Sequence, residues 1–291
     1  MNKPNFFIVG TPKAGTTSLY YYLEEHPEIY MSPIKETNYF SFSEIEGQGL
    51  YYTAEEYVRT AADYDAQFAG VTNEKAIGEA SVSYLFYPEI PNKIKEFNPD
   101  ARIIIVLRNP VDRGFSHYLM DKRLGFVNLS FDDIVDKKFK KKSDWLYYQQ
   151  YITIGFYYEQ VKRFQDTFGS EKVKVLFYED IISNINGVVK DIYKFLEVEP
   201  TYIADTNQRH NVFLAPKTPL IEKLYALKTF RKVIKRIFGE AVQSWMKSVF
   251  FTKEKKPQLS PALKAELTNL FKADIVKTSE LLNRDLSRWL Q

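Results

Sequence analysis

Phe6-Phe7-Ile8-Val9-Gly10-Thr11-Pro12-Lys13-Ala14-Gly15-Thr16-Thr17-Ser18 is the stretch on which the fold turns. Its apolar start has the length of a strand buried on both faces. The segment from Gly10 to Thr17 interrupts it before a helical pattern runs from about Ser18 to Glu25. Strand, loop and helix, with glycines at positions 10 and 15, reproduce the spacing of a P-loop, in which backbone N–H groups cradle a phosphate at the positive end of a helix. The lysine differs. A nucleoside-triphosphate loop carries lysine directly after its second glycine and then a hydroxyl for magnesium, whereas here Thr16 follows Gly15 and the lysine is Lys13, inside the loop. The N–H groups of Gly15, Thr16, Thr17 and Ser18 are therefore expected to hold a 5′-phosphate group, with Lys13 beside the bond that breaks. An ordinary Gly-Pro turn is the alternative, but it accounts for neither the paired threonines nor the flanking strand and helix.

Outward from this loop, short apolar runs at 76–78, 103–107 and 173–177 are each flanked by helical patterns. They predict a single α/β domain over residues 1–291, of P-loop type, with a central parallel sheet of four or five strands flanked by helices and a helical C-terminal part. After the central run, Asn109 is a helix cap and Pro110 suits the first helical position, with the helix reaching about Leu124 before Gly125. Further helices are expected over 156–168, 187–196, 220–238 and 261–282, and no internal repeat or interdomain linker breaks the series.

Composition narrows the function classes. The 291 residues are 45% hydrophobic and 26% charged, the balance of a folded chain, and they contain neither an apolar run of membrane-spanning length nor a secretory pattern at the start. A cytoplasmic location is expected. The absence of cysteine removes disulfides, thiolate chemistry and cysteine-bound zinc, and three separated histidines (His26, His117, His210) offer no metal motif, so no catalytic metal is expected. A net charge of +3 does not point to nucleic acid as a partner.

A second anion-binding element follows from position alone. Arg108 leaves the carboxyl end of the run 103–107, the edge at which open α/β sheets bind ligands, and a guanidinium there can grip a phosphate through two N–H bonds. Ser116 shares a helical face with Asp112 and adds a hydroxyl donor. A structural ion pair of Arg108 with Asp112 or Asp100 is the other reading, and Arg113 is equally a candidate for solvent or a partner.

With these two elements in place, the sequence resembles the sulfotransferases that use 3′-phosphoadenosine-5′-phosphosulfate (PAPS), within them the branch of heparan sulfate N- and O-sulfotransferases and their bacterial relatives, and the likeness covers most of the chain. The resemblance implies that Lys13, Gly15, Thr16, Thr17 and Ser18 bind the 5′-phosphosulfate, and that Arg108 and Ser116 hold the 3′-phosphate of PAPS and of its product PAP. Lys35-Glu36-Thr37-Asn38-Tyr39-Phe40 is similar to the family's K-E-x-x-x-F segment, which gives Glu36 the role of catalytic base; from the residues alone it is also a solvated Lys-Glu pair. Gly78-Glu79 looks like the family's G-E motif, although Ala80 stands where the eukaryotic heparan sulfate enzymes often carry Lys and Asn38 where some relatives have His. Those departures bear on the acceptor and not on the donor. The segment 282–289 resembles family ends, with Trp289 as a packing anchor.

The expected reaction is metal-independent transfer of a sulfuryl group from PAPS to a hydroxyl or amine, of a carbohydrate first and a lipid or small alcohol second. Lys13 and the loop amides serve the leaving oxygen and Glu36 takes the proton, with His117 and His210 as competing bases. The rivals are a P-loop kinase, with Glu79 or Asp112 holding magnesium, and a non-catalytic nucleotide-binding module. Lys217 is a further candidate for phosphate. The basic amphipathic helix expected over 220–238 is either a solvated face or a surface for an anionic acceptor or phospholipid headgroup. His26 is read as a helix-end cap, and the aromatic stretch 145–158 as an acceptor wall or as core.

Overall fold

Alternation along the opening strand sets the layers of the molecule. In the computed structural model, which describes residues 2–48, 58–206, 215–218, 221, 225, 227, 249–252 and 257–291, β1 (Phe6–Gly10) is buried throughout. Phe7 and Val9 enter one core while Phe6 and Ile8 enter a second on the opposite face. Its neighbours are β3 (Ala76–Ala80) and then β2 (Ile29–Met31) on one side, and β4 (Arg102–Leu107) and then β5 (Val173–Phe177) on the other. All four pairings are parallel. A parallel sheet covered on both faces requires near-continuous apolar runs, and Ile103 to Leu107 supply one that is wholly inaccessible. The three-residue β2 is too short to show a sequence pattern and forms because its backbone pairs with β3.

The helices are α1 (Thr16–Glu24), α2 (Phe42–Gly47), α3 (Ala61–Ala66), α4 (Ile90–Phe97), α5 (Pro110–Arg123), α6 (Phe131–Val135), α7 (Trp145–Tyr151), α8 (Tyr158–Phe168), α9 (Tyr178–Ser183), α10 (Ile185–Leu196) and α11 (Pro261–Leu281). Leu19 and Leu23 of α1 with Ile192 and Leu196 of α10 close the core of Phe6 and Ile8. Apolar residues of α4, α5, α8 and α11 close the other.

Local chemistry sets the ends. The Asn109 side chain accepts from the N–H groups of Val111 (2.9 Å) and Asp112 (3.3 Å), which fixes the start of α5 at Pro110 as expected. α1 starts at Thr16, about two residues before the expected Ser18, because Gly15 takes the left-handed conformation that turns the loop into the helix. A short antiparallel ribbon pairs Ala215–Pro216 with Phe251–Thr252. His210, and all but three residues of the helix expected over 220–238, lie outside the described residues. Among the described residues no helix is long and apolar enough to cross a membrane.

Candidate active site

The crevice lies where β1 and β4 run side by side and both open into loops at their carboxyl ends. The Thr11 N–H donates to the Val106 carbonyl (2.8 Å), which pins the loop to β4. Lys13 and Gly15, at φ +70° and +92°, curl the chain. A side chain at Gly15 would face both this φ and the Tyr178 ring, 3.3 Å from an added Cβ. The first helical hydrogen bond of α1 runs from Leu19 N–H to the Gly15 carbonyl (3.2 Å), leaving the N–H groups of Gly15 to Ser18 outside the ladder at the positive end of the dipole. The buried Thr11 hydroxyl has no protein partner among the described residues. A loop of unengaged amides around a glycine fits the phosphosulfate end of PAPS.

Arg108 is stitched to this loop. Its guanidinium donates to the Lys13 carbonyl (2.9 Å) and lies over the Tyr178 ring at 4.3 Å, and its own carbonyl accepts from the Tyr157 hydroxyl (2.8 Å). The ion pair with Asp100 is not formed, since Asp100 is engaged by Lys172 at 2.8 Å, and Asp112 is exposed on the first turn of α5. Lys13 reaches α5, with Nζ 3.5 Å from the Met120 sulfur, one turn beyond half-buried Ser116. Loop, arginine and α5 thus meet at one crevice.

Glu36 is fixed from a third direction. Its N–H donates to the Ala80 carbonyl (2.8 Å) at the end of β3, one carboxylate oxygen accepts from the Val82 N–H (2.8 Å), and the other pairs with Lys35. The Lys-Glu pair is therefore real but half-buried, and the amide bond makes it more than a surface pair. Beneath it, Glu79 is fully inaccessible and collects four hydroxyls: Thr37 (2.5 Å), Ser81 (2.6 Å) and Tyr84 (2.8 Å) on one oxygen and Tyr64 (2.6 Å) on the other. Burial pushes the Glu79 carboxyl up, and the hydroxyl bonds pull it partly back. With both oxygens occupied, Glu79 does not suit a magnesium ligand. Among the described residues no three His, Asp or Glu side chains converge as a metal site.

The remaining expectations divide. His117 is buried on α5, 3.7 Å from Asp121, and burial, Arg113 and Lys13 hold it well below the usual histidine range. His26 does close the end of α1: its Nδ1 accepts from the Glu28 N–H (3.0 Å) while its ring packs on Tyr193 and Tyr202. The aromatic stretch splits, with Tyr151 and Tyr157 fully in the core and Trp145 51% exposed. Exposed Lys217 sits at the end of the ribbon, its N–H donating to the Phe250 carbonyl (3.0 Å), and no described contact joins it to the loop. A surface cleft of about 570 Å³, lined by Tyr39, Phe40, Lys93, Phe97 and neighbours, includes none of the anion-binding residues. Trp289 is a packing anchor against Tyr157 and Phe177, and its indole N–H donates to Glu179 (3.1 Å).

Sequence reasoning missed Tyr178, which lies under Arg108. Its place directly after β5, at the same carboxyl edge as Gly10 and Arg108, was the available signal. Asp274, which accepts from the N–H groups of Tyr157 (2.7 Å) and Tyr158 (3.2 Å), carries no such signal in the middle of α11.

Fold and site together define an α/β domain of P-loop type, with a lysine inside the loop that joins β1 to α1. The chain belongs to the sulfotransferase domain family, which it matches over residues 3–279. It superimposes on a sulfotransferase from Alicyclobacillus acidocaldarius with a TM-score of 0.76 and 33% identity over 100% of both chains. It also shares its fold with a mouse sulfotransferase complexed with PAP (TM-score 0.50, 15% identity, 99% of this chain and 88% of the other). Carbohydrate sulfotransferase 15 of Mus musculus is 25% identical over 285 residues, covering 76% of this chain and 50% of that protein. The chain spans half or less of the length of the curated relatives it first matches, bifunctional heparan sulfate N-deacetylase/N-sulfotransferases among them.

Proposed function

We propose that this domain transfers the sulfuryl group of PAPS to a hydroxyl of a carbohydrate, with Lys13 and Glu36 as its catalytic pair. The observation that carries the reading is the bond from Arg108 to the Lys13 carbonyl, which makes the two anion-binding elements one crevice at the mouth of β1 and β4. Gly15, Thr16, Thr17 and Ser18 bind the 5′-phosphate. Arg108 and Ser116 bind the 3′-phosphate, and Lys217 is the outermost candidate, resting on its charge alone. The acceptor oxygen bonds to sulfur as the bond from sulfur to the bridging phosphate oxygen breaks. Negative charge collects on that oxygen, where the Lys13 ammonium and the loop amides neutralise it. Glu36 accepts the hydroxyl proton, for which an alcohol needs a base at neutral pH.

The carbohydrate assignment leans on the relatives' acceptors, with a lipid or small alcohol as the second choice. A cytosolic location belongs to the same proposal and rests on the absence of cysteine. The test is an acceptor screen with labelled PAPS in the presence of EDTA. Label should pass to an oligosaccharide without added metal. Transfer that needs Mg²⁺, or label that passes only to lipids, would overturn the corresponding part of the reading.

A further inference from the structure

Two non-glycine residues with left-handed backbone flank Thr37: Glu36 at φ +66° and Asn38 at φ +52°. Such a conformation is disfavoured for residues with a side chain and persists only where the surroundings over-determine it. Thr37 supplies that determination, because its hydroxyl is tied to Glu79 at 2.5 Å and also approaches the Tyr84 hydroxyl (3.3 Å) and Ser81 (3.5 Å). Ser81 in turn donates to Glu79 and accepts from the Asn38 N–H (3.0 Å), so the same buried carboxylate holds Thr37 directly and Asn38 through Ser81. Ser83 closes the clamp by donating to the Asn38 side chain (2.6 Å) and bonding Ser41 (2.7 Å).

We propose that Glu79 is a positioning residue for the reaction: through Thr37 and Ser81 it holds the strained turn that aims the Glu36 carboxylate. The inference rests on Glu36 being the base. A buried carboxylate is weak evidence for stability, since an apolar cluster of similar volume can replace such a group together with its partners. What an apolar residue cannot do is accept four hydroxyls at once and fix the two chain segments 36–41 and 81–84 against each other. The absence of a lysine at Ala80, directly after Glu79, leaves the Val82 amide and Lys35 as the groups that touch the Glu36 carboxylate. Its aim therefore depends on the turn itself.

The experiment is a double-mutant cycle in the full chain, reading kcat and PAP affinity. Thr37→Val keeps the volume of the side chain and removes only the tether, and Thr37→Ser keeps the tether. Thr37→Val should lower kcat about 10- to 100-fold, the scale of a misaimed group, with PAP affinity unchanged, and Thr37→Ser should stay near wild type. Glu79→Gln should fall with Thr37→Val. In a Glu36→Gln background, Thr37→Val should have no further effect, because the tether acts only through Glu36. Full turnover in Thr37→Val while Glu36→Gln is crippled overturns the positioning role and leaves the base in place. Equal losses from Thr37→Val in both backgrounds also overturn it, since they describe a general structural defect. Near-normal turnover in Glu36→Gln overturns the base assignment and this inference with it.

Discussion

Lys13 stands where neither a strand nor a helix specifies it, held at a left-handed φ in a loop that is tied to β4 through Thr11 and to Arg108 through its own carbonyl. Its backbone is thus fixed independently of its side chain. Lys13→Ala should weaken PAP binding by about one to two decades, the loss of one charge-assisted contact, and lower kcat by a further factor of roughly 10² to 10³, as measured by calorimetry and turnover side by side. Arg108 is proposed to hold a phosphate that AMP lacks, so PAP should bind one to two decades more tightly than AMP, at about 1.5–3 kcal/mol for a charge-assisted contact; Arg108→Ala should erase most of the difference. His117 gives a pH-dependent signature. Burial, then Arg113 and Lys13, depress it from 6.5 in the folded state, so the unfolded chain binds the proton first. Its contribution to stability is complete above pH 6.5 and is lost as pH falls towards the folded value. Glu79, whose folded carboxyl is raised, acts with the opposite sign as pH falls, so the readout is the difference between His117→Gln and wild type. Between pH 7.5 and 5.5 the variant's Tm should fall less than the wild type's.

Among the elements, α5 comes very close to the end of α7. At Gly114 an added Cβ would lie 2.2 Å from the Tyr151 carbonyl oxygen, the same oxygen that accepts from buried Arg113 (2.5 Å). Gly114→Ala should therefore cost about 1–3 kcal/mol and weaken PAP binding as α5 withdraws Ser116 from the crevice, which a denaturation curve and calorimetry would show. That α5 exists was legible in Asn109, Pro110 and Gly125, since caps are local chemistry. The long apolar strands were legible for a related reason, as burial on both faces leaves an unbroken run. β2 was not, because its three residues take their conformation from a partner 47 positions away, Ile29 pairing with Ala76. The split fate of the stretch 145–158 also escaped the sequence: aromatic residues in the core and at the surface look alike until the opposing layer is in place.

At the scale of the whole molecule, the anion-binding edge is closed from behind by residues far away in sequence. Trp289 receives an Asn109 side-chain bond on its carbonyl (3.4 Å), donates its indole N–H to Glu179, and packs on Tyr157 and Phe177, while Asp274 of α11 fixes the backbone of Tyr157. Tyr157 then holds the Arg108 carbonyl. Trp289→Ala should cost about 3–5 kcal/mol of stability and, unlike a distant core truncation of equal cost, also weaken PAP affinity, because the backbone bearing Arg108 loosens. Thermal shift with and without PAP separates the two effects. What the sequence determined by itself was the phosphate-type loop and its setting: such a loop uses backbone amides of contiguous residues at a helix start, so Gly10 to Ser18 disclose it locally, and Arg108 needs only to end a strand. Tertiary structure alone decided the surroundings of the two carboxylates. Glu36 and Glu79 are equally acidic in sequence, but one meets an amide at a half-exposed mouth and the other is sealed among hydroxyls from Thr37, Tyr64, Ser81 and Tyr84. Burial and hydrogen bonding, which set the role of a carboxylate, come from segments that only the folded chain brings together.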